Sequence, residues 1–146
     1  MKTKIYSYFL VFLQFVIIVL LLVLNDSILN NTYSFLIFIF GLFFGVYTLL
    51  FNRLSNFNIS PLIKKDAVLI TWGAYKYIRH PMYFSVFLMM FGVTLVEINL
   101  LNIFLYLLLM GVLYLKAKKE ESLWSKELPK YKEYMKTTKM FIPFVL

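Results

Sequence analysis

The sequence predicts an all-α, polytopic membrane protein: four transmembrane helices in two hairpins, a cytosolic loop and a helical C-terminal tail. The chain is 62% apolar and 20% aromatic, well above the shares found in an ordinary soluble domain. Its apolar residues are clustered in long runs, and a helix that crosses the hydrocarbon core needs about 20 such residues. Its basic residues lie in alternate segments that flank those runs, so that they would all face one side of the membrane. We therefore expect the whole chain, 1–146, to form one membrane-embedded domain.

Four apolar runs predict the helices in chain order. They are 5–24, 33–51, 82–98 and 100–115. The first carries no charge, and Gln14 is its one polar residue of a type usually buried. The last two are shorter and are predicted to be joined by a tight turn at 97–99. The first run could instead be a secretory signal, but it is too long for a signal core and no small-residue cleavage site follows it.

The basic residues indicate how the helices are oriented. Lysine and arginine occur before the first run, between the second and third, and after the fourth, whereas Asp26 and Glu97 are the only charged residues of the opposite connections. This bias places both termini and the middle loop in the cytoplasm. Attraction to anionic headgroups accounts for the net charge of +8, so membrane lipids are expected partners and nucleic acid is not. The absence of cysteine excludes disulfides and cysteine-based metal sites, and no metal is expected.

The middle loop contains an apolar stretch, 67–71, that is too short to cross a bilayer. Non-helical backbone at membrane depth must be satisfied by protein or must line a cavity, so this stretch is predicted to line a site. Trp72 and Tyr75 mark a turn after it and suit the membrane interface. Elsewhere, Gly41 and Gly45 form a GxxxG pattern that lets another helix approach closely.

The tail is predicted to be helical beyond the fourth run. The helix should continue through KAKKEESLWSKEL until Pro129 stops it. Tyr131 and Tyr134 then share one face of a short helix. The apolar residues 140–146 are predicted to fold back onto the bilayer or the protein.

The stretch YIRHPMY is the first candidate for chemistry. Pro81 suits the first position of a helix, so Arg79 and His80 lie just before a helix start, where free N–H groups and the positive end of the dipole favour an anionic group. Tyr83 follows within one turn, and its hydroxyl can point to the same place. In the simpler alternative, Arg79 snorkels, His80 caps the helix and the tyrosines belong to the interfacial belt.

The second candidate lies at the end of the fourth run. Lys116 and Glu120 are four residues apart and share a helix face, which a solvated ion pair would explain. However, the fourth helix ends where the third begins, so Glu120 and His80 can meet at one membrane depth. A carboxylate held there could bind ribose hydroxyls or an ammonium group.

These motifs together resemble those of the isoprenylcysteine carboxyl methyltransferase and phospholipid methyltransferase group of membrane enzymes. The residues that carry the resemblance are LITWGAYKYIRHPMY, then KKEESLW, the tyrosines at 131 and 134, and the closing I-P at 142–143. The similarity covers roughly 68–144 and implies a methyltransferase domain with its cofactor-binding core in 67–146. It further implies S-adenosylmethionine as methyl donor and a lipidic or small apolar acceptor.

The resemblance also implies roles for individual residues. It places cofactor contacts at Leu69, Ile70, Tyr75, His80, Pro81, Met82, Tyr83 and Glu120. It places Lys116 where the family has an arginine that faces the acceptor, which makes Lys116 the candidate catalytic residue on that side. Lysine keeps the charge but lacks the planar, bidentate fork of arginine, which leaves open whether the acceptor and its pose are those of the family.

Methyl transfer from a sulfonium is an in-line displacement that depends on holding nucleophile and methyl in near-attack geometry. A carboxylate or thiolate acceptor needs no general base, whereas an amine or hydroxyl would need His80 or a tyrosine as helper. Two other functions stay open from the sequence. One is a nicotinamide-dependent membrane reductase of the sterol-reductase type, and the other is a small non-enzymatic partner protein.

Overall fold

Five α-helices account for most of the chain in the computed structural model, which describes residues 2–52 and 68–142. They are α1 (Lys2–Leu24), α2 (Thr32–Phe51), α3 (Pro81–Thr94), α4 (Leu100–Glu127) and α5 (Pro129–Thr137). Short 3-10 turns cover Asp26–Asn30 and Gly73–Lys76. The described residues form no strand, only a single parallel bridge between Ile78 and Lys139. The predicted loop residues 53–67 and the end of the tail, 143–146, lie outside the described residues.

Three of these helices are long and apolar enough to cross a membrane, namely α1 from Lys4, α2 and α4. The predicted third span is wrong in length: α3 has 14 residues and ends at Thr94, not at residue 98. A helix of that length rises about 21 Å, against about 30 Å of hydrocarbon. The chain turns early because Asn99 caps α4: its side-chain oxygen accepts a hydrogen bond from the backbone N–H of Asn102. The side-chain amide of Asn102 in turn donates to the carbonyl of Glu97 at 2.8 Å.

The helices pack in the spatial order α1, α4, α3, α2, each antiparallel to its neighbour. The main partner of α1 is α4, and the main partner of α2 is α3. Side chains that point away from these contacts are apolar and exposed, including Phe12 (66%), Phe43 (69%) and Leu100 (87%). Such an outer surface is suited to lipid, because lipid tails are as apolar as the side chains themselves.

Glycines set the close contact between α2 and α3. A Cβ added at Gly41 would lie 2.8 Å from the backbone nitrogen of Met89, and one added at Gly92 would lie 2.7 Å from the carbonyl oxygen of Ser34. Gly45 faces Ser85 in the same interface. The GxxxG pattern thus packs two helices of one chain against each other, as its packing role predicted. Gly111 has nothing within 4 Å of its Cβ direction.

We expect Gly92→Ala to destabilise the protein, because its methyl group would overlap backbone atoms that cannot rotate away. Overpacking of this kind costs about 1–3 kcal/mol. Gly111→Ala is the matched control and should be neutral or stabilising, since alanine favours helix by about 1 kcal/mol over glycine. Thermal unfolding in detergent measures both. Equal shifts in the melting temperature of the two variants would contradict the proposed contact.

Candidate functional site

The R-H-P motif, α4 and the end of the chain meet at one end of the bundle. Residues 77–80 lie beside residues 139–140, and three backbone bonds join them, including Arg79 N–H to the Lys139 carbonyl at 2.8 Å and His80 N–H to the Met140 carbonyl at 3.0 Å. We call α5 and residues 138–142 the C-terminal arm. The arm covers the start of α3, and its Met140 and Phe141 join the hydrophobic core.

Arg79 fastens this arm to α4. Its Nε lies 2.6 Å from Glu121 Oε1, and the two side chains are only 9% and 4% exposed. Its Nη1 donates to the carbonyl of Met135 at 3.3 Å and to that of Thr138. The guanidinium is therefore buried among acceptors, which argues against the simpler alternative in which Arg79 snorkels.

His80 lies between the two carboxylates of the glutamate pair. Its Nδ1 is 3.5 Å from Glu120 Oε2, and its Nε2 is 3.3 Å from Glu121 Oε1. Burial lowers the pKa of His80, but hydrogen bonds and charge from Glu120 and Glu121 outweigh it, so the pKa is raised overall. Both ring nitrogens can then donate, as in an imidazolium. The imidazole makes no capping bond to α3, so its partners are carboxylates and not the helix start.

Glu120 is the accessible member of the pair. It accepts a hydrogen bond from the Tyr83 hydroxyl, and its side chain is 22% exposed where that of Glu121 is 4% exposed. The Tyr83 ring stacks on His80 with ring centroids 5.5 Å apart. His80, Tyr83 and Glu120 thus form one polar cluster, in which only Glu120 keeps a partly exposed charge.

Lys116 lies on the same face of α4, one turn before Glu120. Its side chain is fully buried, at 1% exposure, and its ammonium donates to Gln14 of α1. The ammonium also sits 5.2 Å from the centroid of the Tyr83 ring. The alternative of a solvated Lys116–Glu120 ion pair is therefore wrong, because Lys116 is withdrawn from solvent and bonded to an uncharged amide.

Aromatic side chains enclose the cluster. Phe141 of the arm lies 5.8 Å from the His80 ring and 5.1 Å from that of Phe87. The Tyr134 hydroxyl donates to the Tyr75 carbonyl at 2.5 Å, which ties α5 to the turn before the motif. Burial, then the neighbouring Tyr134 and Glu120, raise the pKa of the Tyr75 hydroxyl well above its usual range. Tyr131 and Tyr134 are both buried on one face of α5, as predicted.

The remaining predicted site residues lie around this cluster. Pro81 is buried at the first position of α3, directly after His80. Met82 points elsewhere, since its sulfur accepts a bond from Asn52 at the end of α2. Ile70 is buried and Leu69 half-buried in the non-helical stretch before the turn; their aliphatic side chains take no part in the polar contacts.

Two residues of the site were missed from the sequence. The sequence does not distinguish Glu121 from Glu120, although Arg79 and His80, adjacent in the chain, supply one cation for each carboxylate. Gln14 stands out in the sequence only as a polar residue in an apolar run. Polar side chains inside a membrane helix commonly mark functional sites, so that signal was available, but its partner in α4 was not.

Comparison with known families places these motifs in a wider context. Residues 34–125, more than half of the chain, match the isoprenylcysteine carboxyl methyltransferase (ICMT) family. The match takes in α2 from residue 34, the R-H-P motif and the glutamate pair, and it leaves out α1 and the C-terminal arm. A search of curated proteins finds no match to the chain. The chain belongs to the isoprenylcysteine carboxyl methyltransferase family of membrane methyltransferases.

Proposed function

We propose that the protein transfers a methyl group from S-adenosylmethionine to a lipidic or small apolar acceptor within the membrane. The observation that carries the proposal is the cluster of His80, Tyr83 and Glu120, in which one partly exposed carboxylate is held by two donors. Together with the shorter apolar α3, the three long helices would make four membrane-embedded helices, and the bias of basic residues favours a cytoplasmic site.

The residues of the cluster fit the chemical groups of the cofactor. The carboxylate of Glu120 can accept bonds from ribose hydroxyls or from the ammonium of the methionine part. The ring of Tyr83 within the cluster and that of Phe141 beside it can stabilise a cation by contact with their faces. When bound, S-adenosylmethionine would supply an activated methyl group on a positively charged sulfur.

The chain itself contributes position and charge. Arg79 pairs with the buried Glu121, which leaves Glu120 as the partly exposed carboxylate that a ligand can reach. His80 and Tyr83 fix the Glu120 carboxylate from two directions. The arm excludes water from the start of α3, and such fixed geometry is what an in-line displacement requires.

Lys116 is the group we assign to the acceptor. It lies deeper along α4 than Glu120, against α1, which places it toward the apolar part of the bundle. A methyl acceptor from the bilayer could enter between helices. A polar cofactor would arrive at the end of the bundle that carries the R-H-P motif and the lysines after it. The buried ammonium can donate a hydrogen bond to an oxygen atom of the methyl acceptor.

The test is binding of S-adenosylhomocysteine to the purified protein in detergent, measured by calorimetry. We expect Glu120→Gln to weaken binding about 10- to 100-fold, because a hydrogen bond to a charged group contributes about 1.5–3 kcal/mol. Glu127→Gln, an exposed glutamate on the same helix, is the matched control and should bind normally. Binding of a nicotinamide cofactor instead would favour the reductase, and binding of neither ligand would favour a non-enzymatic partner.

A further inference from the structure

One further feature, a groove at the end of the bundle that carries the R-H-P motif, has no part in the methyl-transfer proposal. A groove of about 420 Å³ lies between α4 and the C-terminal arm. Tyr114 and Lys118 form its α4 side, Lys136 and Lys139 come from the arm, and Arg79 also lines it. Its lining includes no acidic residue.

The lysines of this groove have no anionic partner among the described residues. The ion pairs found there within 4 Å all involve Arg79 or His80. The ammonium of Lys118 lies over the neutral ring of Tyr114, 5.6 Å from its centroid, which leaves its charge without a counter-ion among the described residues. Arg79 is paired with Glu121. Lys118, Lys136 and Lys139 line the same groove as three cations without a counter-ion among the described residues.

The groove also lies where α4 leaves the apolar region. Leu107 and Leu115 are exposed apolar residues (59% and 47%), Tyr114 is 45% exposed, and Lys118 follows one turn later. Tyrosine at such a position is typical of the headgroup level of a bilayer. A cationic groove at that depth is complementary to the phosphate of a membrane lipid, since basic clusters beside a spanning helix attract anionic headgroups.

We propose that this groove binds the headgroup of an anionic phospholipid, with its phosphate between Lys118, Lys136 and Lys139. The arm that forms one wall is the same segment whose Met135 and Thr138 carbonyls hold Arg79. A bound lipid therefore holds α4 and the arm together and stabilises the cover over the R-H-P motif. The proposal does not depend on any methyl donor.

The experiment uses the full chain in phosphatidylcholine nanodiscs with or without phosphatidylglycerol, and no cofactor. Retained phosphatidylglycerol is counted by mass spectrometry after extraction into detergent. One lysine near an anionic surface contributes roughly fivefold in affinity, so Lys136→Gln/Lys139→Gln should retain the lipid about 30-fold less tightly. The matched control, Lys130→Gln/Lys132→Gln, removes two exposed lysines of α5 outside the groove and should behave as the wild type.

Two further measurements test whether the groove binds a lipid headgroup. Lys136→Arg/Lys139→Arg keeps the charge and should restore lipid retention, which separates loss of charge from loss of folding. Inorganic phosphate at the same concentration should not displace the lipid. Equal losses of retained phosphatidylglycerol in the groove and control variants would overturn the proposal in favour of general surface charge. Unchanged lipid retention in both variants would overturn it outright. Displacement of the lipid by phosphate would identify a free-anion site instead.

Discussion

Arg79→Leu is expected to release the C-terminal arm and to destabilise the protein by about 3–5 kcal/mol, the cost of removing one partner of a buried ion pair. The substitution would leave Glu121 charged and 4% exposed without its 2.6 Å partner. It would also leave the carbonyls of Met135 and Thr138 without their shared donor. Thermal unfolding in detergent gives the stability. Limited proteolysis of protein with a C-terminal tag reports the arm directly, because the tag should be lost first.

Two companion variants separate charge from geometry in this prediction. Arg79→Lys keeps the charge but cannot reach three acceptors with one planar fork, so an intermediate loss is expected. Arg79→Leu/Glu121→Leu removes the stranded carboxylate and should recover part of the stability, since the two sites are directly coupled. Lys76→Leu, an exposed cation three residues earlier, is the control. A stable, protease-resistant Arg79→Leu protein would show that the pair does not hold the arm.

This role for Arg79 explains why the arm and the motif depend on each other. The arm supplies backbone acceptors, the motif supplies the guanidinium, and α4 supplies Glu121 between them. If Arg79 did not pair with Glu121, that carboxylate would also be available to His80 as a full partner. The site would then present two competing acids, and Glu120 would no longer be the distinct negative group.

The helices of this fold were predictable from the sequence because hydrophobic length decides them. The runs at 5–24 and 33–51 correspond closely to α1 and α2. The run at 82–98 overshot α3, since apolar residues 95 and 96 belong to a turn that is set by hydrogen bonds of Asn99 and Asn102. Apolarity alone does not mark where a helix stops.

The pairing of the helices was less predictable. A side chain that faces lipid and one that faces another helix can both be leucine or phenylalanine, so composition does not separate the two surfaces. Small residues were the available signal, and Gly41 and Gly92 do mark the contact of α2 with α3. The contact of α1 with α4 gave only Gln14 as a clue.

The site was predictable in outline because antiparallel helices with a short connection bring their far ends to one depth. That argument placed Glu120 near His80, and the two lie 3.5 Å apart. It could not assign separate roles to Glu120 and Glu121, because adjacent residues point about 100° apart around a helix and either could face Arg79. Only the rotation of α4 decides which carboxylate meets Arg79 and which stays accessible.

Lys116→Ala is expected to reduce turnover about 100-fold, as found when one charge-stabilising donor is removed from an active site, and to change S-adenosylhomocysteine affinity little. The reason is its position: the ammonium is bonded to Gln14 and faces the Tyr83 ring, on the α1 side of Glu120. Turnover is measured as labelled methyl transfer into native membrane extracts, and affinity by calorimetry. Lys126→Ala, exposed on the same helix, is the control for general loss of charge.

Gln14→Leu tests whether α1 positions that ammonium, although α1 lies outside the region matched by the family. Leucine removes the only side-chain oxygen that accepts from Lys116 in the described residues, so the lysine can shift, and misplacement should lower turnover about tenfold. Because both changes act on one group, Lys116→Ala/Gln14→Leu should be no slower than Lys116→Ala alone. Additive losses would mean that Gln14 acts independently. Equal loss of affinity and turnover in Lys116→Ala would move Lys116 to the cofactor side, because an interaction lost from binding and reaction alike is not specific to the transition state.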